Sequence, residues 1–208
     1  MSFKTLLVHV EANTSPDVRL SLAVDLANQL HAKLLGVGAE FFRSPYYGGD
    51  GIDYFAGDLI AAEMESIESD LKSAEAKFRA AAAAVREGHE WRGSVRFPVA
   101  AVAAEARAAD LVITSRSSAK GASDYNIALP AALILQAGRP VLVTPPDTAQ
   151  LTVKRAVVAW KDTREARRAV SDALPFLQGA EKVHLVELCD GAEAIPRVDV
   201  RPMTGQRN

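Results

Sequence analysis

The stretch Thr5-Leu-Leu-Val-His-Val-Glu11, taken with the residues downstream of it, decides the fold. An Ala/Leu-rich helical pattern runs from Ser15 to Gln29, and a second apolar run, Ala32-Lys-Leu-Leu-Gly-Val37, comes directly after. Short, near-continuous apolar runs suit strands buried on both faces, the habit of parallel sheets. The first unit therefore reads strand, helix, strand. Roughly 150 residues later the same spacing returns as Ala156-Val-Val-Ala-Trp-Lys161, a helical pattern from Arg164 to Leu177, and Ala180-Glu-Lys-Val-His-Leu-Val186. The chain starts the same way twice, and only the first copy runs on.

Working outward, further apolar runs stand at Leu111–Thr114 and Val141–Thr144. Ser15-Pro16-Asp17 makes a helix start, with an N-cap candidate, Pro at the first helical position and an acid at the helix's positive end. The longest helical pattern spans about Asp58 to Arg86, with Leu59, Ile60, Met64, Ile67, Leu71, Ala74 and Phe78 at three- and four-residue steps. Gly88 is its expected stop. Ser94–Phe97 predicts a third strand, and Pro98 opens a helix over Val99–Ala108. Ile127–Gln136 predicts another helix, with Pro130 in its first turn. Gly138 closes it before the fifth strand. Strands alternating with helices, joined by right-handed crossovers, give an α/β fold with an open, doubly wound, five-stranded parallel sheet. We expect one α/β domain over residues 1–146 and a linker over 147–153. A truncated β-α-β repeat over 154–189 and an irregular tail over 190–208 complete the division. Ligands in such sheets bind beyond the carboxyl ends of the strands, where strand order reverses. That directs attention to the segments after strand one (Glu11–Ser15), strand two (Gly38–Gly57) and strand four (Ser115–Asn126).

Composition narrows the function classes. The chain is 49% hydrophobic and 24% charged, ordinary for a globular protein. Residues 1–150 carry a formal −4 and residues 151–208 a formal +2, neither of which makes a nucleic-acid surface. A single cysteine, Cys189, excludes an intrachain disulfide framework and a Cys-rich metal site. No apolar run approaches the roughly 18–20 residues of a membrane span, and the Met-Ser-Phe-Lys start has no signal-like stretch. The expectation is a cytoplasmic protein without membrane or nucleic-acid partners.

The runs Leu-Leu-Val-His-Val-Glu11, Ala-Lys-Leu-Leu-Gly-Val37, Ala109-Asp-Leu-Val-Ile113 and Gly138-Arg-Pro-Val-Leu-Val143, in that order and spacing, resemble the universal stress protein family. The resemblance covers residues 1–145 and again about 154–188, as in a tandem-repeat member whose second repeat is cut short. It implies an adenine-nucleotide α-hydrolase-like fold. Many members of that family bind ATP through a glycine-rich loop after strand four, G-x2-G-x9-G-[ST]. Glycines there let backbone N–H groups approach phosphate oxygens at a helix start. This chain departs from the pattern. Its loop reads Thr114-Ser-Arg-Ser-Ser-Ala-Lys-Gly-Ala-Ser-Asp-Tyr-Asn126, with Ser115 and Ser118 at the first two glycine positions and Ile127 or Ala128 at the third. Glu11 replaces the family's acidic residue at the end of strand one, and Lys161 stands at the matching place in the second copy. The candidate cofactor-binding residues are therefore Glu11, Val37, Ser115, Arg116, Ser118 and Lys120. No bound cofactor is expected, with ATP as the alternative.

Each candidate has a plainer reading beside the functional one. Arg116 and Lys120 among serines make either a divergent anion site or a polar surface loop. Glu11 either accepts a hydrogen bond from an adenine amino group or ribose hydroxyl, or caps the following helix. His9, inside an apolar run, reads as a buried, hydrogen-bonded core histidine. With no HExxH or CxxC, no metal site is predicted. Six aromatics and three glycines across Phe41–Phe55 suggest a lid or a partner contact. No nucleophile, base and orienting third group share one motif, so whether the chain is an enzyme stays open, with a non-catalytic role preferred. A lone β-α-β unit buries too little apolar surface to stand alone. It should therefore cover its own first domain or contribute to a homodimer. The expected function is stress response by association and regulation. The alternative is divergent ATP or AMP binding, with slow hydrolysis as an optional addition.

Overall fold

Order along the chain, in a computed structural model describing residues 3–12, 18–42, 56–115 and 128–187, is β-α-β-α-β-α-β-α-β followed by β-α-β. The first nine elements are β1 (Thr5–His9), α1 (Val18–Leu30), β2 (Lys33–Glu40), α2 (Ala56–Ala82), β3 (His89–Val95), α3 (Pro98–Glu105), β4 (Leu111–Ser115), α4 (Pro130–Gln136) and β5 (Val141–Thr144). A short 3-10 turn, Ala106–Ala108, extends α3. The five strands are all parallel in the order β3-β2-β1-β4-β5. Strand order reverses between β1 and β4, which places the crevice of a doubly wound sheet at their carboxyl ends.

The apolar runs form the middle of the sheet, as a strand covered on both faces requires. Leu6, Leu7 and Val8 are fully buried. Alternate residues feed opposite layers, because side chains along a strand point to opposite faces. Leu6 and Val8 join Leu20, Ala23 and Phe78 on the α1/α2 side. Leu7 joins Val37, Val102 and Leu133 on the α3/α4 side. Helix α2 approaches so closely that a Cβ on Gly36 would stand 2.5 Å from the Phe78 ring. At the amino ends of the strands, the Asp110 carboxylate accepts from Lys4 N at 2.8 Å and Thr5 N at 3.0 Å, pinning β1 to β4.

Several boundaries differ from the sequence reading. The third strand is His89–Val95 rather than Ser94–Phe97. It is an edge strand with exposed or half-buried residues throughout, so it shows no apolar run. Helix α2 ends at Ala82, and Gly88, at φ +92°, turns the chain into β3 instead of ending the helix directly. Helix α3 closes at Glu105 because its last turn tightens to 3-10 geometry. Helix α4 begins at Pro130 itself, in its first position, where the missing N–H costs nothing. The start at Ser15-Pro16-Asp17, most of the aromatic loop, Cys189 and the tail lie outside the described residues.

The second start folds as β6 (Arg155–Trp160), α5 (Arg164–Leu177) and β7 (Lys182–Glu187). Here β6 and β7 form a separate two-stranded parallel sheet. Thr163 caps α5, its hydroxyl oxygen accepting from Ala166 N at 3.2 Å. Phe176 packs on Phe3 with ring centroids 5.7 Å apart, and Leu151 also joins the α1/α2-side core. Other apolar residues of this unit stay uncovered: Val157 is 69% exposed and Leu185 50%.

Candidate functional site

Strand β1 ends at His9, and Glu11 stands two residues later at the sheet's carboxyl edge. Strand β4 ends at Ser115 on the other side of the reversal. Between them lies a residue that the sequence reading did not single out. Arg19, in the first turn of α1, donates from Nη2 to Glu11 Oε1 at 3.2 Å and from Nη1 to Ser115 Oγ at 3.4 Å. One guanidinium thus crosses the reversal point and joins the two strand ends. It is 9% exposed, and its buried Nε–H has no hydrogen-bond partner among the described residues.

The charges support one another. Burial, the largest single influence on Glu11, pushes its carboxyl up; the neighbouring His9 and Arg19 outweigh it and hold the pKa at about 2. Glu11 is therefore an anion at neutral pH, and the pair is a partly buried, charge-assisted contact. His9 is buried as expected, at 1% exposure. Its Nδ1 lies 3.6 Å from Glu11 Oε1, and neither ring nitrogen has a partner at hydrogen-bond distance among the described residues. The Lys77 ammonium, from α2, donates to the Ala12 carbonyl and fixes the chain just beyond Glu11.

A second acid sits on the same edge. Glu40, the last residue of β2, has its pKa raised to about 7 by burial first, then by repulsion from Asp70 and Glu11. The carboxyl edge thus carries one firmly ionised acid and one poised near neutrality.

Of the candidates named from the sequence, Glu11 and Ser115 are brought together through Arg19. Val37 lies within β2 beside His9, its side chain in the core and its carbonyl accepting from Val10 N at 2.9 Å. Arg116, Ser118 and Lys120 lie outside the described residues. Ala128, one of two positions for the third glycine, is buried, and its carbonyl accepts from the Thr114 hydroxyl at 3.4 Å. Phe41, at the start of the aromatic loop, stacks on Phe97 with centroids 3.6 Å apart. A surface groove lined by Arg96, Ala100, Arg107 and Gln136 shares no residue with this cluster.

Arg19 left one trace in the sequence. A cation in the first turn of a helix opposes the macrodipole, so it needs a compensating anion nearby. Glu11 is that anion.

No protein-family model and no curated protein matches the chain. Solved structures do. A universal stress protein from Archaeoglobus fulgidus superposes with a TM-score of 0.54 at 15% identity, over 91% of this chain and 67% of that one. The hypothetical protein MJ0577 superposes with a TM-score of 0.51 at 12% identity, over 70% of this chain and 97% of that one. The chain has the fold of the universal stress proteins. The 91% match is more than residues 1–150 alone could supply, so it takes in elements on both sides of the 147–153 segment. No helix among the described residues is long and apolar enough to cross a membrane.

Proposed function

We propose that this chain is a universal-stress-type protein that acts in stress response by association and regulation, in the cytoplasm, without nucleotide held at its first α/β unit. The observation that carries this reading is the Arg19 bridge. The two side chains best placed to receive a ligand at the reversal point, Glu11 and Ser115, are already tied together through one guanidinium. The loop after β4 carries Ser115 and Ser118 at the positions where the family pattern has the glycines that let backbone N–H groups reach a phosphate. In this reading residues 154–189 are a truncated second repeat serving association, and the partner is a second copy of the chain.

The second reading is a nucleotide-binding protein with a divergent phosphate loop, using Glu11, Ser115, Arg116, Ser118 and Lys120. It is favoured by the convergence of Glu11 and Ser115 at the point where doubly wound sheets take ligands. Calorimetric titration with ATP and AMP separates the two. We expect no binding tighter than about 100 μM, a threshold equivalent to roughly −5.5 kcal/mol. Tighter binding that Arg116→Ala abolishes would establish the second reading in place of the first.

A further inference from the structure

We propose that Arg19 is a built-in latch on the crevice, an internal side chain holding the contacts that a nucleoside-type ligand would need. The latch rests on the proposed function, in which the unaltered chain holds no nucleotide there. Glu11 offers a carboxylate that would accept from an amino or hydroxyl donor, and Ser115 offers a hydroxyl at the opposite strand end. The Arg19 head engages both.

A purely structural staple explains the bridge less well, for two reasons. The strands it joins are already held together elsewhere. β1 and β4 pair in a parallel ladder, and Asp110 ties their amino ends through two backbone N–H groups. Next, the staple is poorly made. Its buried Nε–H has no partner among the described residues, and an unsatisfied buried donor is destabilising. A bridge that the strand pairing does not need and that leaves a buried donor unpartnered among the described residues, at the place where the topology opens a ligand crevice, is explained by what it excludes.

The test is titration of AMP into the unaltered chain, Arg19→Ala and Arg19→Met, with thermal melts confirming that each is folded. Met keeps the stem of the side chain and removes only the head, so it decides the matter if the Ala variant fails to fold. We expect both variants to bind AMP at least about tenfold more tightly than the unaltered chain, the size of one charge-assisted hydrogen bond returned to the ligand. Adding Glu11→Gln to Arg19→Met should abolish the gain. Variants that bind no better than the unaltered chain, or a gain that survives Glu11→Gln, overturn the latch. If the unaltered chain already binds AMP more tightly than about 100 μM, the association reading fails. The latch is then judged separately: weaker binding by the Arg19 variants overturns it, and tighter binding upholds it.

Discussion

Glu40 shows how much a single side chain's surroundings set its behaviour. Its carboxyl is raised from 4.5 to about 7 by burial, with Asp70 and Glu11 adding repulsion. An acid whose folded-state pKa exceeds its unfolded value makes the folded state hold the proton more tightly. Its influence is harmless below the unfolded pKa, and stability falls as pH rises from about 4.5 through about 7. The full shift would correspond to about 3 kcal/mol, and solvent screening of a partly exposed group reduces this to about 1–2. Glu40→Gln should therefore be more stable than the unaltered chain by about 1–2 kcal/mol at pH 8, with the difference closing toward pH 4. Thermal melts across that range check it; a difference independent of pH would place the effect elsewhere. Glu11 has the opposite sign. Its pKa of about 2 contributes stability above its unfolded value, which is lost as pH falls below about 4.5. Sequence alone identified Glu11 by its place after an apolar run. Arg19 and Glu40 escaped because each is a charged residue at the end of an element, where a solvated surface position looks the same. Their burial is a product of the way α1 and α2 pack across the strand ends.

At the level of elements, legibility tracked burial. β1, β2, β4 and β5 were readable because each is an apolar run, and α5 because the Arg164–Leu177 pattern repeats the spacing of the first unit. β3 was not, since His89-Glu-Trp-Arg-Gly-Ser-Val95 is an edge strand whose identity comes from backbone pairing with β2. The end of α1 carries a further consequence. His31 sits at φ +53°, a left-handed conformation that glycine adopts more easily. Ala32 N donates to the Ala27 carbonyl at 2.9 Å and His31 N to the Asn28 carbonyl at 3.4 Å, the bonding of a Schellman cap. The cap wants glycine at this position and has a histidine with a Cβ penalty. His31→Gly should therefore raise stability by about 0.5–1 kcal/mol, after allowance for glycine's extra freedom in the unfolded chain. Denaturant titration would register it as a higher midpoint at unchanged slope, and a lower midpoint would refute it.

For the whole molecule, the two sheets differ in kind. The five-stranded sheet is covered on both faces, whereas among the described residues the β6–β7 pair has one helix and no further strand. Two strands alone are marginally stable in water. Docking of Phe176 and Leu151 on the first core anchors this unit, yet Val157, Val183, Leu185 and Val186 remain 43–69% exposed. Val157 and Val186 share one face of the pair and Val183 and Leu185 the other; exposed apolar residues on a sheet face mark an interaction surface or an aggregation hazard. We infer that it marks contact with a second copy. Val157 decides the point, because a residue 69% exposed can be changed with little effect on the folded chain. Light scattering at micromolar concentration should give a dimer mass for the unaltered chain. Val157→Lys should shift it toward monomer by burying an unpaired charge at the contact. A strict monomer before substitution, or a dimer indifferent to it, would detach association from this sheet. The doubled start would then be a covering for the first core alone.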